Sequence, residues 1–275
     1  MSRNVSFGLA ISEEMLGDGA PVLLQGGLDK AIIRASELGF DAVELHIREP
    51  GRLNADSILK TADENNIRIA AVGTGLEYSL NGLSLTSPDR DVRALMSQRL
   101  KEHIDFAGCF NAVVFLGMCR GRLPNFASRS EYLDRLAEEL APIASYASER
   151  GVVLGFEPIV FYLTNLLNTT GETLEFLKRP GLESIQLLLD THHMYIEDKD
   201  MDMSFRLCKG RIAHVHISDS NRQYPGSGNV DYTKVGNTLK AMGYDKTVSL
   251  EVLPYPDGEQ AALYGLRWMR SVWGD

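Results

Sequence analysis

The amino-acid sequence predicts an α/β protein folded as a (β/α)8 TIM barrel, a single domain over residues 1–275. Three observations lead there. Short apolar runs alternate with longer stretches of helical spacing along the whole chain, and such alternation argues for parallel strands, because each crossover needs a covering element. Eight strand-helix units fit into the 275 residues, a number that suits a closed barrel better than an open doubly wound sheet. Finally, no Gly-x-Gly-x-x-Gly turn follows the first apolar run, and no linker or low-complexity tract marks a domain boundary.

Met1-Ser2-Arg3-Asn4 leads straight into the first expected strand, Val5 to Ile11, which ends at a Ser-Glu-Glu loop. Gly27 to Leu38 has apolar residues at helical spacing, and Gly39 is placed to cap it. Ala42 to Ile47 reads as the second strand, Asp56 to Asn65 as a helix and Arg68 to Val72 as the third strand. The stretch from Gly73 to Pro88 is too long for a minimal connection and is a candidate binding loop. Asp89 to Phe110 reads as a helix, Ala112 to Leu116 as the fourth strand, and Ser130 to Arg150 as a second long helix. Four more strands follow, Val152 to Phe156, Ile185 to Leu189, Ile212 to Val215 and Thr247 to Leu253. Helical segments at Gly171–Leu177, near Asp200–Leu207, at Asp231–Met242 and at Glu259–Val272 separate and close them. Trp268 and Trp273, in the last of these, are expected in the outer layer or at a subunit contact of a homo-oligomer.

Composition narrows the partners. With 44% hydrophobic and 24% charged residues the chain has an ordinary globular balance. Its 28 Lys plus Arg against 37 Asp plus Glu give a net charge of -9, which repels a polyanion and argues against nucleic acid. Cys109, Cys119 and Cys208 are odd in number and widely spaced, as expected of a reducing, cytoplasmic setting without a disulfide framework. No apolar run approaches the length of a membrane span.

The chemistry sits at the ends of the last four strands. Their apolar runs end on Glu157, Asp190, His216 and Glu251, and in such a barrel the active site lies at the carboxyl ends of the strands. Each residue alone has a plain structural role: a strand-end Asp caps a helix, a strand-end Glu pairs with an Arg, a lone His is a hydrogen-bonded core residue. Four on consecutive strands point instead to a metal. Three carboxylates and one imidazole suit a hard or borderline divalent ion, with Mn²⁺ the first expectation and Mg²⁺, Co²⁺ or Zn²⁺ the others. His193 and Arg222 lie beyond Asp190 and His216 on the mouth side, where they can reach a substrate's oxygens. His192 is expected to be structural, and so is His214, on the opposite side of its strand from His216.

The chain resembles the xylose-isomerase-like barrel superfamily, and within it the metal-dependent ketose 3-epimerases of the tagatose, psicose and 5-keto-gluconate epimerase type. The likeness runs nearly end to end through Gly39-Phe40-Asp41-Ala42-Val43-Glu44-Leu45, Gly73-Thr74-Gly75 with Asn81 to Thr86, Arg120-Gly121-Arg122, Gly155-Phe156-Glu157-Pro158, Leu167-Asn168-Thr169, Asp190-Thr191-His192-His193-Met194, Asp219-Ser220-Asn221-Arg222 and Ser249-Leu250-Glu251. The resemblance implies a divalent ion held by Glu157, Asp190, His216 and Glu251. It also makes Glu157 and Glu251 the acid/base pair of an epimerisation through a metal-stabilised cis-enediolate. His193, Arg222 and Arg120 would hold a small carbohydrate, a ketose or keto sugar acid, and the arginines including Arg122 would suit an acidic one.

One segment departs from that pattern. Where the resembled epimerases carry an Arg and a second carboxylate after the metal glutamate, this chain has Phe161 and Leu163. The metal chemistry therefore carries over better than the substrate. A metal-dependent lyase is the competing expectation, a keto-inositol or dehydroshikimate-type dehydratase or a 3-keto-glycoside-cleaving enzyme. Hydrolysis of abasic DNA would need further histidines where the third and fourth strands end, and those ends offer Gly73-Thr74 and Gly117-Met118.

Overall fold

The structure, a computed structural model, describes residues 5–125 and 127–274, so Met1 to Asn4 lie outside it. Nine strands are formed among the described residues: β1 (Ser6–Ser12), β2 (Leu24–Gln25), β3 (Ala42–His46), β4 (Arg68–Gly73), β5 (Val113–Leu116), β6 (Leu154–Phe156), β7 (Gln186–Asp190), β8 (Ile212–Ile217) and β9 (Thr247–Leu250). Every pairing is parallel. β9 returns to pair with β1, so β1 and β3 to β9 close an eight-stranded barrel, and the two-residue β2 adds to the rim of β1.

Ten α-helices accompany the strands among the described residues: α1 (Leu28–Leu38), α2 (Ala55–Glu64), α3 (Gly75–Ser79), α4 (Arg90–Gly108), α5 (Arg129–Glu149), α6 (Thr170–Phe176), α7 (Thr191–Glu197), α8 (Met201–Leu207), α9 (Tyr232–Met242) and α10 (Gly258–Trp273). Their starts obey local chemistry. Asn54, Asp89, Ser128, Thr169, Asp200, Asp231 and Asp257 each accept a backbone N–H of the following first turn, which removes one of the unpaired donors that every helix leaves at its start. Gly39 ends α1 at φ 95°, the left-handed conformation expected of it. Two short helices, α3 in the third loop and α7 directly after Asp190, occupy stretches where no helix was expected.

The main apolar core lies between the sheet and the helices, where Phe7, Leu9, Ile11, Leu45 and Ile32 are fully buried. Trp273 belongs to this layer, its ring edge-on to Phe7 at 6.3 Å, and Trp268 packs on Tyr232 at 5.7 Å. Inside the barrel the filling is different. A small apolar cluster of Ala71, Phe115 and Leu188 shares the interior with Glu44, His46, His214, His216 and Ser249. Gly73 makes room there, because a Cβ on it would stand 2.7 Å from the Phe115 ring and 3.2 Å from His46 Nδ1. The three cysteines are free, with Cys109 exposed and Cys119 and Cys208 buried. Among the described residues no helix is long and apolar enough to cross a membrane.

Candidate metal centre

The four strand-end residues converge. Asp190 closes β7, and His216 sits beside it in register on β8. Glu157 and Glu251 follow β6 and β9 by one residue, their backbone N–H groups still donating to Leu116 O at 3.0 Å and Ile217 O at 3.4 Å. One ligand atom from each of Glu157, Asp190, His216 and Glu251 lies within 4.8 Å of the others, and all four residues are buried. His216 Nδ1 faces the three carboxylates, 3.5 Å from Glu157 Oε1, 3.7 Å from Asp190 Oδ2 and 3.2 Å from Glu251 Oε2.

The donor set fits a divalent cation. Glu157 Oε1 and His216 Nδ1 are both buried without a hydrogen-bond partner, an arrangement that costs free energy unless something bridges them. They come from different strands and point into the same space, and a hard cation with oxygen and imidazole ligands satisfies both. Gly117 keeps the site open, since a Cβ there would stand 2.8 Å from Glu157 Oε2.

The surroundings set the charge of each member. Burial raises the Glu157 carboxyl against the opposing pull of His216. Burial alone would raise Asp190 and Glu251 too, but Arg222 and the neighbouring imidazoles hold both below the ordinary carboxylate range. His216 is disfavoured as a cation by burial, yet Glu44 and Glu251 push it well above its usual value. Asp190 does double duty: its Oδ1 accepts His192 N and His193 N at the start of α7, while its Oδ2 turns to the cluster. The helix-capping role and the ligand role are thus carried by different oxygens.

Arg222 spans Asp190 and Glu251 with its two terminal nitrogens and also donates to Ser218 Oγ at 2.8 Å. It is held there by a tight turn. Its backbone takes a positive φ of 63°, its N–H donates to Asp219 O and its carbonyl accepts from Leu253. Asp219 braces that turn by accepting Ser220 N, Gly226 N and Val230 N. His193 is buried, its Nε2 3.9 Å from Glu157 Oε1 and its Nδ1 unpartnered. Burial pushes it down to about 3, so it is a neutral imidazole. Both residues, with Glu157 and Glu251, line a cavity of about 250 Å³.

Three expectations need correction. Arg120 does not line that cavity. It is fully buried, its guanidinium donating to Gly117 O, Leu166 O and Leu167 O and stacking 4.2 Å over the Phe156 ring. It ties the loops after β5 and β6 together, and burial lowers it to about 10. Arg120→Ala is therefore expected to cost on the order of 3 kcal/mol of stability by stranding buried carbonyls, read from denaturant unfolding, with KM nearly unchanged at a temperature where the variant is folded. Arg122 rests on the Tyr162 and Leu163 carbonyls, so the clustered cations expected for an acidic substrate are largely committed to the protein.

The third correction concerns His214. Residues two apart on a strand share a face, and both His214 and His216 point into the barrel, their rings 5.5 Å apart. Below the cluster, Glu44 Oε2 accepts His216 Nε2 at 2.9 Å and its Oε1 accepts His46 Nε2 at 2.7 Å, while His214 Nε2, also 2.9 Å from Glu44 Oε2, is bonded to Ser249 Oγ at 2.7 Å. This buried carboxylate and His46 were missed. The signal was available, since Glu44 and His46 are alternate residues of an otherwise apolar strand. His192 is structural as expected, bonded to Asp219 O at 3.0 Å and to the Tyr162 hydroxyl at 2.8 Å.

The sequence pattern of the xylose isomerase-like TIM barrel family matches residues 32–272. An L-ribulose 3-epimerase of Mesorhizobium japonicum is 29% identical over 258 residues, covering 91% of this chain and 84% of that protein. A 3-dehydro-D-guloside 4-epimerase of Escherichia coli is 27% identical over 253 residues, with 86% and 91% covered. The crystal structure of a D-allulose 3-epimerase from Methylomonas sp. superposes with a TM-score of 0.78 at 26% identity, over 98% of this chain and 99% of that one. The match to the family pattern and the closed parallel barrel agree: this chain belongs to the xylose isomerase-like TIM barrel family.

Proposed function

We propose that the protein is a divalent-metal-dependent sugar epimerase acting on a ketose or related keto sugar, with Glu157 and Glu251 as its acid/base pair. The observation that carries this reading is the convergence of Glu157, Asp190, His216 and Glu251 beneath a cavity of monosaccharide scale. The names of the relatives support it. A ribulose 3-epimerase and a 3-dehydro-guloside 4-epimerase each invert a carbon next to a carbonyl.

Such an inversion needs one group to take a proton from one face of the carbon, another to return it to the opposite face, and charge to hold the developing oxyanion. Glu157 and Glu251 follow β6 and β9, three strands apart in a ring of eight, so they enter the cavity from well-separated directions. Glu157, Asp190, His216 and Glu251 would hold a divalent ion, Mn²⁺ first among the candidates, and that ion would supply Lewis-acid chemistry. His193, a neutral imidazole that lines the cavity, hydrogen-bonds a substrate hydroxyl. Arg222 keeps Asp190 and Glu251 ionised and presents its edge to the cavity.

The test is incubation of candidate ketoses in D₂O with the metal-loaded protein. Deuterium is expected at the carbon beside the carbonyl, with inversion, and chelation should stop it. Folded, metal-loaded protein that exchanges no such proton in any ketose would sink the reading. A lyase on the same platform is the second reading, favoured by Leu163 in the cavity wall and Phe161 and Tyr162 exposed beside it. Product mass separates the two, because epimerisation conserves it and elimination does not.

A further inference from the structure

The cavity above the cluster has two unlike halves. Glu157, His193, Arg222 and Glu251 come from the loops after β6 to β9, where the chemistry lies. The remaining lining comes mainly from the loops after β1, β4, β5 and β6, and there Leu16, Pro21, Val22, Leu76, Met118 and Leu163 form the wall. Ser79 is the one hydroxyl-bearing side chain among the described residues that line the cavity. This wall is held in place. The Gln25 amide accepts Leu16 N at 2.7 Å and Gly17 N at 3.0 Å and donates to Val22 O at 2.7 Å, pinning the loop that carries Leu16, Pro21 and Val22. Leu163 N donates to Val160 O, and the neighbouring Thr164 hydroxyl to Gly121 O, fixing the other side.

A ketose with a hydroxyl on every carbon would turn its remote hydroxyls onto hydrocarbon and leave them without partners, which disfavours binding. We propose that the substrate carries an apolar group at the end remote from the inverted carbon. The terminal methyl of a 6-deoxyketose has this chemistry, and so does the short alkyl aglycone of a keto glycoside. The inference takes its reaction from the epimerase reading, but its binding claim stands apart from it.

The experiment compares a 6-deoxyketose, its fully hydroxylated parent of the same configuration and a methyl keto glycoside on the metal-loaded enzyme, by deuterium uptake and by calorimetric binding. The apolar-ended compounds are expected to exceed the parent in kcat/KM by about tenfold to a hundredfold. Whichever of the two leads identifies the source of the apolar group. Leu163→Gln, which sets an amide in the wall, should narrow the ratio chiefly by lowering KM for the parent. A parent that binds and reacts as well as both analogues overturns the proposal and leaves the epimerase reading intact. Preferential binding of an apolar-ended compound without deuterium uptake supports the proposal and overturns the epimerase reading. No heat of binding from any of the three overturns the proposal.

Discussion

Replacing Glu157 or Glu251 by glutamine is expected to lower the rate of epimerisation by on the order of 10²- to 10⁴-fold, the usual contribution of a positioned acid or base. Glutamine preserves side-chain length and one ligand oxygen but cannot carry the proton. The two variants should differ from each other in an informative way. With one glutamate intact, the epimer whose proton faces it still ionises, so Glu157→Gln should exchange the α-proton of one epimer with D₂O and Glu251→Gln that of the other, neither giving inversion. The measurement is deuterium uptake into each separated epimer, with metal content determined alongside. If both variants retain metal and lose exchange on both epimers alike, the glutamates are ligands only and the two-base mechanism fails.

The residues behind that prediction were legible because each ends an apolar run. A strand buried on both faces is a continuous hydrophobic word, so a polar residue at its end stands out, and four such ends in order define a barrel mouth. What lay inside a run was harder to see. Glu44 sits in the middle of β3, where a single carboxylate reads as a tolerated exception until the three imidazoles around it are brought in from β3 and β8. His214 was misplaced because alternation was applied to residues two apart, which share a face. Arg120 followed the expectation that a loop arginine near the mouth faces the substrate. Two of its three partners are carbonyls at 166 and 167, more than forty residues away, and no local pattern reports them. The five-residue α3 and seven-residue α7 are too short for helical periodicity to register.

Glu44 carries the second large effect. Glu44→Gln is expected to weaken divalent-metal binding by about tenfold to a hundredfold, as loss of an outer partner of a ligating histidine does. The wild-type carboxylate accepts Nε2–H from His46 and His216, with His214 Nε2 2.9 Å away and bonded to Ser249 Oγ. Burial opposes its charge, but those imidazoles hold it well below the ordinary range, so it is an acceptor only. With Nε2 of His216 committed as a donor, it is the proton on Nδ1 that a metal displaces, freeing the lone pair on the atom 3.2 to 3.7 Å from the three carboxylates. An amide offers one acceptor and one donor. Turned toward β8, its NH₂ forces His216 Nε2 to accept, and His216 then carries its proton on Nδ1, where the ligand lone pair is needed. Turned toward His46, the amide spares that tautomer but still removes the negative charge that makes His216 basic. Either way the metal dissociation constant rises, while saturating metal restores most of kcat because Glu157 and Glu251 are untouched. Chelation of the wild type gives the limiting case. Dialysed protein should lose activity and melt earlier, by an amount that grows with the ratio of free metal to dissociation constant in the untreated sample. A Glu44→Gln variant that binds Mn²⁺ within threefold of the wild type would show that the tautomer of His216 is fixed by something other than this buried carboxylate.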